Sequence, residues 1–303
     1  MKQSAKPRGV IVPLVTPFTV ADELDEAALR RLVNFLIESG VHGLFPGGTT
    51  AEGPLLTAAE RQQMAATVVE ATNGRVPIIV QVGCISTRET IAMAQHARSI
   101  GADAVAVLTP FYYRLSEAAL RAHYARVCEA IPDVPVYLYN IPQRTGNDLT
   151  PRLAAEIAEQ CPNVVGIKES SGNLNAVIDI LALCPRLHVI LGNDGLILPA
   201  HTMGVQASVS GNANVFPELF VALFEAIWSG DMAAARAAQE RVNVVVRILK
   251  DGADLSLFKA VLTKRGLPVG GVRLPRLNAP ESEVNACVEA LAAAGIAVTE
   301  VAM

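Results

Sequence analysis

Val164-Val-Gly-Ile-Lys-Glu-Ser-Ser-Gly172 is an apolar run of strand type that ends in a lysine and then breaks into polar turn residues. Lys168 is the only lysine between Lys6 and Lys250, in a chain that otherwise covers its surface with arginine. A lone lysine at the end of a β-branched run has two readings. As a nucleophile, an amine whose pKa falls on desolvation attacks a ketone and forms a Schiff base, which a guanidinium cannot do. As a structural group, it is an interior cation paired with a carboxylate such as Glu169 or Asp194.

Working outward, short apolar runs alternate with stretches of helical period from residue 10 for some 220 residues, without a linker. The strand candidates are Val10 to Thr16, His42 to Pro46, Pro77 to Val82, Ala104 to Thr109, Val136 to Asn140, Val164 to Lys168, His188 to Leu191 and Ala207 to Ser210. Asp25 and Ser116 read as N-caps followed by acids, and Gly40, Gly101 and Gly204 as helix stops. Continuous apolar runs flanked by helices are what parallel strands buried on both faces look like. Eight such units predict an α/β fold, a (β/α)8 TIM barrel over residues 1–230. A doubly wound dinucleotide-binding sheet is the competing topology. It lacks its Gly-x-Gly-x-x-Gly, because Pro13-Leu-Val-Thr-Pro17 follows the first strand. Residues 231–303 predict a C-terminal helical segment packed on the barrel, with helices over Met232 to Leu249, Leu255 to Arg265 and Ser282 to Ala294.

Composition narrows the partners. With 303 residues, 51% hydrophobic and a net charge of -4, the chain has ample core material and no basic run to track nucleic acid or an anionic membrane. No apolar stretch reaches the ~18 residues of a membrane span, and residues 1–9 lack a signal segment. The expectation is a cytoplasmic protein acting on small molecules. Five cysteines without a Cys-x-x-Cys pair and five histidines without ligand spacing indicate neither disulfides nor a metal site.

In a barrel of this kind the active site lies at the C-terminal strand ends. Strand two ends in Gly47-Gly48-Thr49-Thr50, either a plain turn or a nest of backbone N–H groups and hydroxyls for a carboxylate. Strand four ends in Thr109-Pro-Phe-Tyr112-Tyr113, paired aromatics that either pack under a loop or serve the site. On strand five Tyr137 and Tyr139 share a face, and Tyr139 is nearer the strand end, beside Lys168 of strand six. A phenol next to an amine can relay the protons of a carbinolamine. Arg144, in the loop Pro142-Gln-Arg-Thr-Gly146, is either an exposed loop cation or a fork for a substrate carboxylate.

These residues resemble the pyruvate-dependent class I aldolases and lyases of the dihydrodipicolinate synthase and N-acetylneuraminate lyase family. The motifs are Val12-Pro-Leu-Val-Thr-Pro-Phe18, Gly48-Thr-Thr-Ala-Glu52, Thr109-Pro-Phe-Tyr-Tyr113, Tyr139-Asn-Ile-Pro142 and Gly166-Ile-Lys-Glu169. The resemblance implies a barrel that is usually a homotetramer, needs no cofactor, and forms an imine between Lys168 and pyruvate. It assigns Tyr139 as proton relay and Gly48, Thr49 and Thr50 as the turn that holds the pyruvate carboxylate. Tyr112 would reach a neighbouring subunit's site to complete a hydroxyl chain with Thr49 and Tyr139, and Gly192 and Val209 would line the pyruvate pocket. Arg144 matches the arginine that binds aspartate semialdehyde in the synthase, so the leading expectation is condensation of pyruvate with that aldehyde. Three departures keep a second expectation open, a lyase releasing pyruvate from a 2-keto-3-deoxy sugar acid or N-acetylneuraminate. Ala51 replaces a glycine, Gly252-Ala-Asp-Leu-Ser-Leu-Phe-Lys259 replaces the synthase's Asn-Pro-x-Pro-x-Lys, and Gly83-Cys-Ile-Ser-Thr87 with Ser210-Gly-Asn212 looks closer to the lyases. A non-catalytic binding protein on the same scaffold would lack the lysine or the tyrosine, and both are present.

Overall fold

The computed structural model describes residues 6–252 and 254–301. Ala253 of the departing C-terminal stretch, the first five residues and the last two lie outside them. In chain order the first elements are β1 (Gly9–Val12), α1 (Glu26–Glu38), β2 (Gly43–Leu44), α2 (Ala58–Thr72), β3 (Ile79–Gln81), α3 (Thr87–Ser99), β4 (Ala104–Leu108) and α4 (Glu117–Ala130). There follow β5 (Val136–Asn140), α5 (Pro142–Thr145), α6 (Pro151–Gln160), β6 (Val164–Glu169), α7 (Leu174–Leu183), β7 (His188–Leu191), α8 (Ile197–Thr202) and β8 (Ala207–Val209). Four helices close the chain: α9 (Pro217–Ser229), α10 (Met232–Ile248), α11 (Leu255–Lys264) and α12 (Glu281–Ala293). Each of the three predicted C-terminal helices is found within one residue of its expected ends.

The caps read from sequence are made as side-chain chemistry requires. Asp25 accepts from the N–H of Ala28 and Ser116 from that of Ala119, filling donors that the first helical turn leaves open. Gly40, Gly101 and Gly204 take φ of +85°, +82° and +104°, where a side chain would be strained.

The chain divides into two compact units. One comprises Met1–Arg8 and Pro77–Val209 and carries six strands, all parallel, in the spatial order β8-β7-β6-β5-β4-β3. Sequential neighbours paired in parallel require a crossover each time, which α3, α4, α6, α7 and α8 supply. In this unit β4 and β5 are buried along their whole length. At the centre Gly166 is the one residue β6 can place against Tyr137, since a Cβ there would stand 2.4 Å from that ring and 2.4 Å from the His188 carbonyl oxygen.

The other unit comprises Gly9–Val76 and Ser210–Met303, with β1 and β2 paired in parallel. Here β1 is shorter than its apolar run, because Pro13 and Pro17 have no N–H to lend a ladder. Asn214 takes over: its Oδ1 accepts from the Val15 N–H at 3.1 Å and its Nδ2 donates to the Pro13 carbonyl at 2.8 Å.

Two histidines of the six-stranded unit are held neutral. Burial lowers His123, bonded to Thr87 Oγ1 at 2.9 Å, and His188, bonded to the Tyr137 hydroxyl at 3.0 Å, from 6.5 to about 4, and Lys6 adds to the fall at His188. The unfolded chain takes up these two protons near pH 6.5, whereas the folded chain refuses them until about pH 4. Their contribution is therefore present above pH 6.5 and lost as the pH falls toward 4, up to roughly 3 kcal/mol apiece. Urea midpoints measured from about pH 7 down to about pH 4.5 should fall steeply, and the slope should flatten in His123→Gln and His188→Gln.

Candidate active site

Parallel pairing of β5 with β6 sets Tyr139 directly opposite Lys168. Both are buried, at 1% and 5% exposure, and the Lys168 Nζ lies 4.0 Å from the centre of the Tyr139 ring. The two side chains that the sequence placed on neighbouring strand ends are brought together. Tyr137, one pleat earlier on the same face, is engaged instead with His188. Glu169 points to the opposite face from Lys168, as the strand period demands. Its Oε2 accepts from Asn140 Nδ2 at 3.0 Å and its Oε1 from the Ser171 N–H at 2.6 Å. Burial pushes the Glu169 carboxyl up, the Ser171 and Asn140 bonds pull it back, and Asp148 adds to the rise. Asn140 also donates to Asp148 at 2.8 Å and accepts from the Leu149 N–H at 3.0 Å, so the end of β5 is pinned to the chain that follows α5.

The helix α5 itself bears Arg144, whose side chain is exposed. Tyr112 is 81% exposed and Tyr113 65%, their rings edge to face at 5.0 Å. Tyr112 adopts φ +79°, a conformation in which a bulky side chain is an outlier, so something must hold the loop. The holder is Asn147, a residue the sequence reading passed over. Only 4% exposed, it donates through Nδ2 to the carbonyls of Pro110 at 2.7 Å and Tyr113 at 2.8 Å, and accepts through Oδ1 from the Leu115 N–H at 2.8 Å. Thr109 at the end of β4 donates to Thr145 Oγ1 at 2.9 Å, and Thr145 in turn donates to the Asn147 carbonyl at 2.9 Å. The loop of Tyr112 and the short helix of Arg144 thus form one hydrogen-bonded piece. An asparagine after Thr-Gly reads as ordinary turn chemistry, and only the fold supplies partners more than thirty residues away.

Gly192 follows β7 and donates its N–H to the Glu169 carbonyl at 2.8 Å. A Cβ there would stand 1.8 Å from Ser170 Oγ, so a glycine is required. Val209 closes β8 and is buried. In the other unit, the Gly48 carbonyl accepts from the N–H groups of Ala51 and Gly53, and the Thr49 carbonyl from that of Glu52. Thr49 and Thr50 are partly exposed on this tight turn.

Residues 6–294 match the Dihydrodipicolinate synthetase family. An uncharacterized DapA-like lyase of Halobacterium salinarum is 42% identical over 93% of this chain and 92% of its own. A 4-hydroxy-tetrahydrodipicolinate synthase of Methanopyrus kandleri is 38% identical over 90% of this chain and 91% of its own. Among solved structures, YagE, a prophage protein of E. coli K12 described in complex with pyruvate, superimposes with a TM-score of 0.91 at 29% identity, over 96% of this chain and 99% of that one. The fold is therefore the (β/α)8 barrel expected from the sequence, followed by C-terminal helix, and the protein is an enzyme, a lyase acting on carbon–carbon bonds. The chain belongs to the dihydrodipicolinate synthetase family. Among the described residues no helix is long and apolar enough to cross a membrane.

Replacing Asn147 with valine strips partners from two carbonyls and one N–H, and should cost roughly 1–3 kcal/mol in a urea titration. Limited trypsin cleavage after Arg114 should accelerate in the same variant.

Proposed function

We propose that this enzyme is a Schiff-base lyase that joins pyruvate to a carboxylated aldehyde, of which aspartate semialdehyde fits best, in the cytoplasm and as a homotetramer. The observation that carries the reading is the buried Lys168 amine set over the Tyr139 ring on paired strand positions. In this scheme the Lys168 amine adds to the C2 carbonyl of pyruvate. The carbinolamine loses water as Tyr139 passes a proton to the departing oxygen, leaving a protonated imine. Loss of a methyl proton then gives an enamine, whose carbon adds to the aldehyde, and water releases the product and restores the amine.

The remaining residues have supporting roles. The turn at Gly48, Thr49 and Thr50 binds the pyruvate carboxylate, with Gly192 and Val209 lining its pocket. Tyr112 continues the proton path from a neighbouring subunit, a role its exposure on a loop fixed by Asn147 supports. Arg144 receives the carboxylate of the second substrate, and its exposure on α5 suits an incoming molecule. Residues 1–230 carry the barrel and 231–303 the helical segment. The names of relatives such as the Methanopyrus kandleri synthase support the condensing direction.

A second reading runs the same chemistry in reverse, releasing pyruvate from a 2-keto-3-deoxy sugar acid or N-acetylneuraminate. It is favoured by Ala51 and by the Gly83-Cys-Ile-Ser-Thr87 stretch. Coupled detection of pyruvate across a panel of such acids separates the two, because silence across the panel leaves the condensation.

Reduction with borohydride in the presence of pyruvate should give one mass adduct, mapped to Lys168. Lys168→Ala should lose the adduct and at least about 10³-fold in turnover, and Tyr139→Phe should lose about 10²-fold or more. Retention of more than a small fraction of activity by Lys168→Ala would remove the mechanism.

A further inference from the structure

Glu52 ends the Gly48-Thr-Thr-Ala run in a left-handed conformation, φ +57°, with its side chain sealed from solvent. Its Oε1 accepts from Lys259 Nζ at 2.7 Å and its Oε2 from the Arg273 N–H at 2.9 Å. Lys259 lies on α11 and is 1% exposed. It donates a second bond to the Gly271 carbonyl at 2.6 Å and lies 4.3 Å from the centre of the Phe18 ring. The Arg273 guanidinium lies 4.3 Å from the same ring and reaches Glu60 at 2.8 Å and Asp22 at 3.0 Å. Thr16 Oγ1 donates to the Ala51 carbonyl at 2.5 Å. Gly53 completes the turn, where a Cβ would stand 2.4 Å from the Gly47 carbonyl oxygen.

An ion pair sealed this deeply is a poor choice for stability alone, because desolvating two charges offsets most of their attraction and an apolar pair of equal volume does as well or better. What the pair does provide is direction. A carboxylate with both oxygens engaged at fixed bond lengths cannot swivel, and it sits next to the residues whose position matters most. Lys259 cannot be a second imine-forming amine, since it is enclosed and committed to a carboxylate and a carbonyl.

We propose that the Glu52–Lys259 pair is the positioning device of the Gly48–Thr50 turn, so that the C-terminal helix α11 sets the enzyme's selectivity for a carboxylate-bearing ketone. The proposal rests on the reading of that turn as the carboxylate holder. Neither residue touches substrate. Both act through the turn, and their loss should register as a loss of discrimination rather than a loss of the amine's chemistry.

The experiment compares trapping at Lys168 by cyanoborohydride with pyruvate and with methyl pyruvate, a ketone of the same skeleton without the negative charge. In Lys259→Met the half-saturating pyruvate concentration should rise about tenfold while that of methyl pyruvate moves by less than about twofold. Glu52→Gln with Lys259→Met leaves no buried charge unpaired, and should show the same selective loss where the single variant does not fold. Equal shifts for the two ketones, or no shift in either, would overturn the proposal. If the unaltered enzyme forms no adduct with pyruvate, the Schiff-base reading itself falls, and the proposal falls with it. An adduct in the unaltered enzyme with unselective variants removes only the positioning role.

Discussion

Parallel register between β5 and β6 is the constraint on which the proposed chemistry depends. Side chains alternate at every residue, so a slip of one position would turn Lys168 away from Tyr139 and bring Glu169 in its place. The register is secured from both sides of the strand pair. On the inner face Gly166 accommodates the Tyr137 ring with no room for even a methyl group. On the other face Asn140 bridges Glu169 and Asp148 and receives the Leu149 N–H. An ammonium over the Tyr139 ring is thus a consequence of packing at Gly166 and Asn140, away from the amine itself.

Much of this was legible before any coordinates. The alternation of apolar runs with capped helices gave eight strands in the right places, because burial on both faces leaves a signature that needs no partner information. Lys168 and Tyr139 could be paired from sequence because adjacent strand ends of a parallel sheet are adjacent in space. What escaped was everything that depends on partners distant along the chain. Asn147 looks like a turn asparagine until its three bonds to residues 110–115 are drawn, and the short helix α5 is hidden by its length of four residues. The strand ends were overextended where proline interrupts the ladder, as at Pro13, since hydropathy does not register a missing N–H.

The loops show a division of labour. Tyr112 and Arg144 are exposed and have long side chains that cost entropy to order. Their backbones are nonetheless held by buried groups, Asn147, Thr145 and Thr109, which have no chemistry to perform. Exposure is confined to the side chains, while the unfavourable φ of Tyr112 is maintained by bonds from a buried asparagine.

Two deeply buried lysines among the described residues, one of them the proposed nucleophile, show why burial by itself does not identify a catalytic amine. Both Lys168 and Lys259 are at most 5% exposed, and both have their ammonium over an aromatic ring. Burial lowers the pKa of Lys259, yet Glu52 works against that fall and takes one of its donors, while Gly271 takes another. A cation so engaged is a structural point charge, and freeing it to attack a ketone would leave Glu52 buried with a lost partner. Lys168 instead lies near the end of a strand rather than on a helix, with its ammonium over the Tyr139 ring. For Lys259, reacting would mean giving up a buried carboxylate and a carbonyl, and that commitment marks it as a brace.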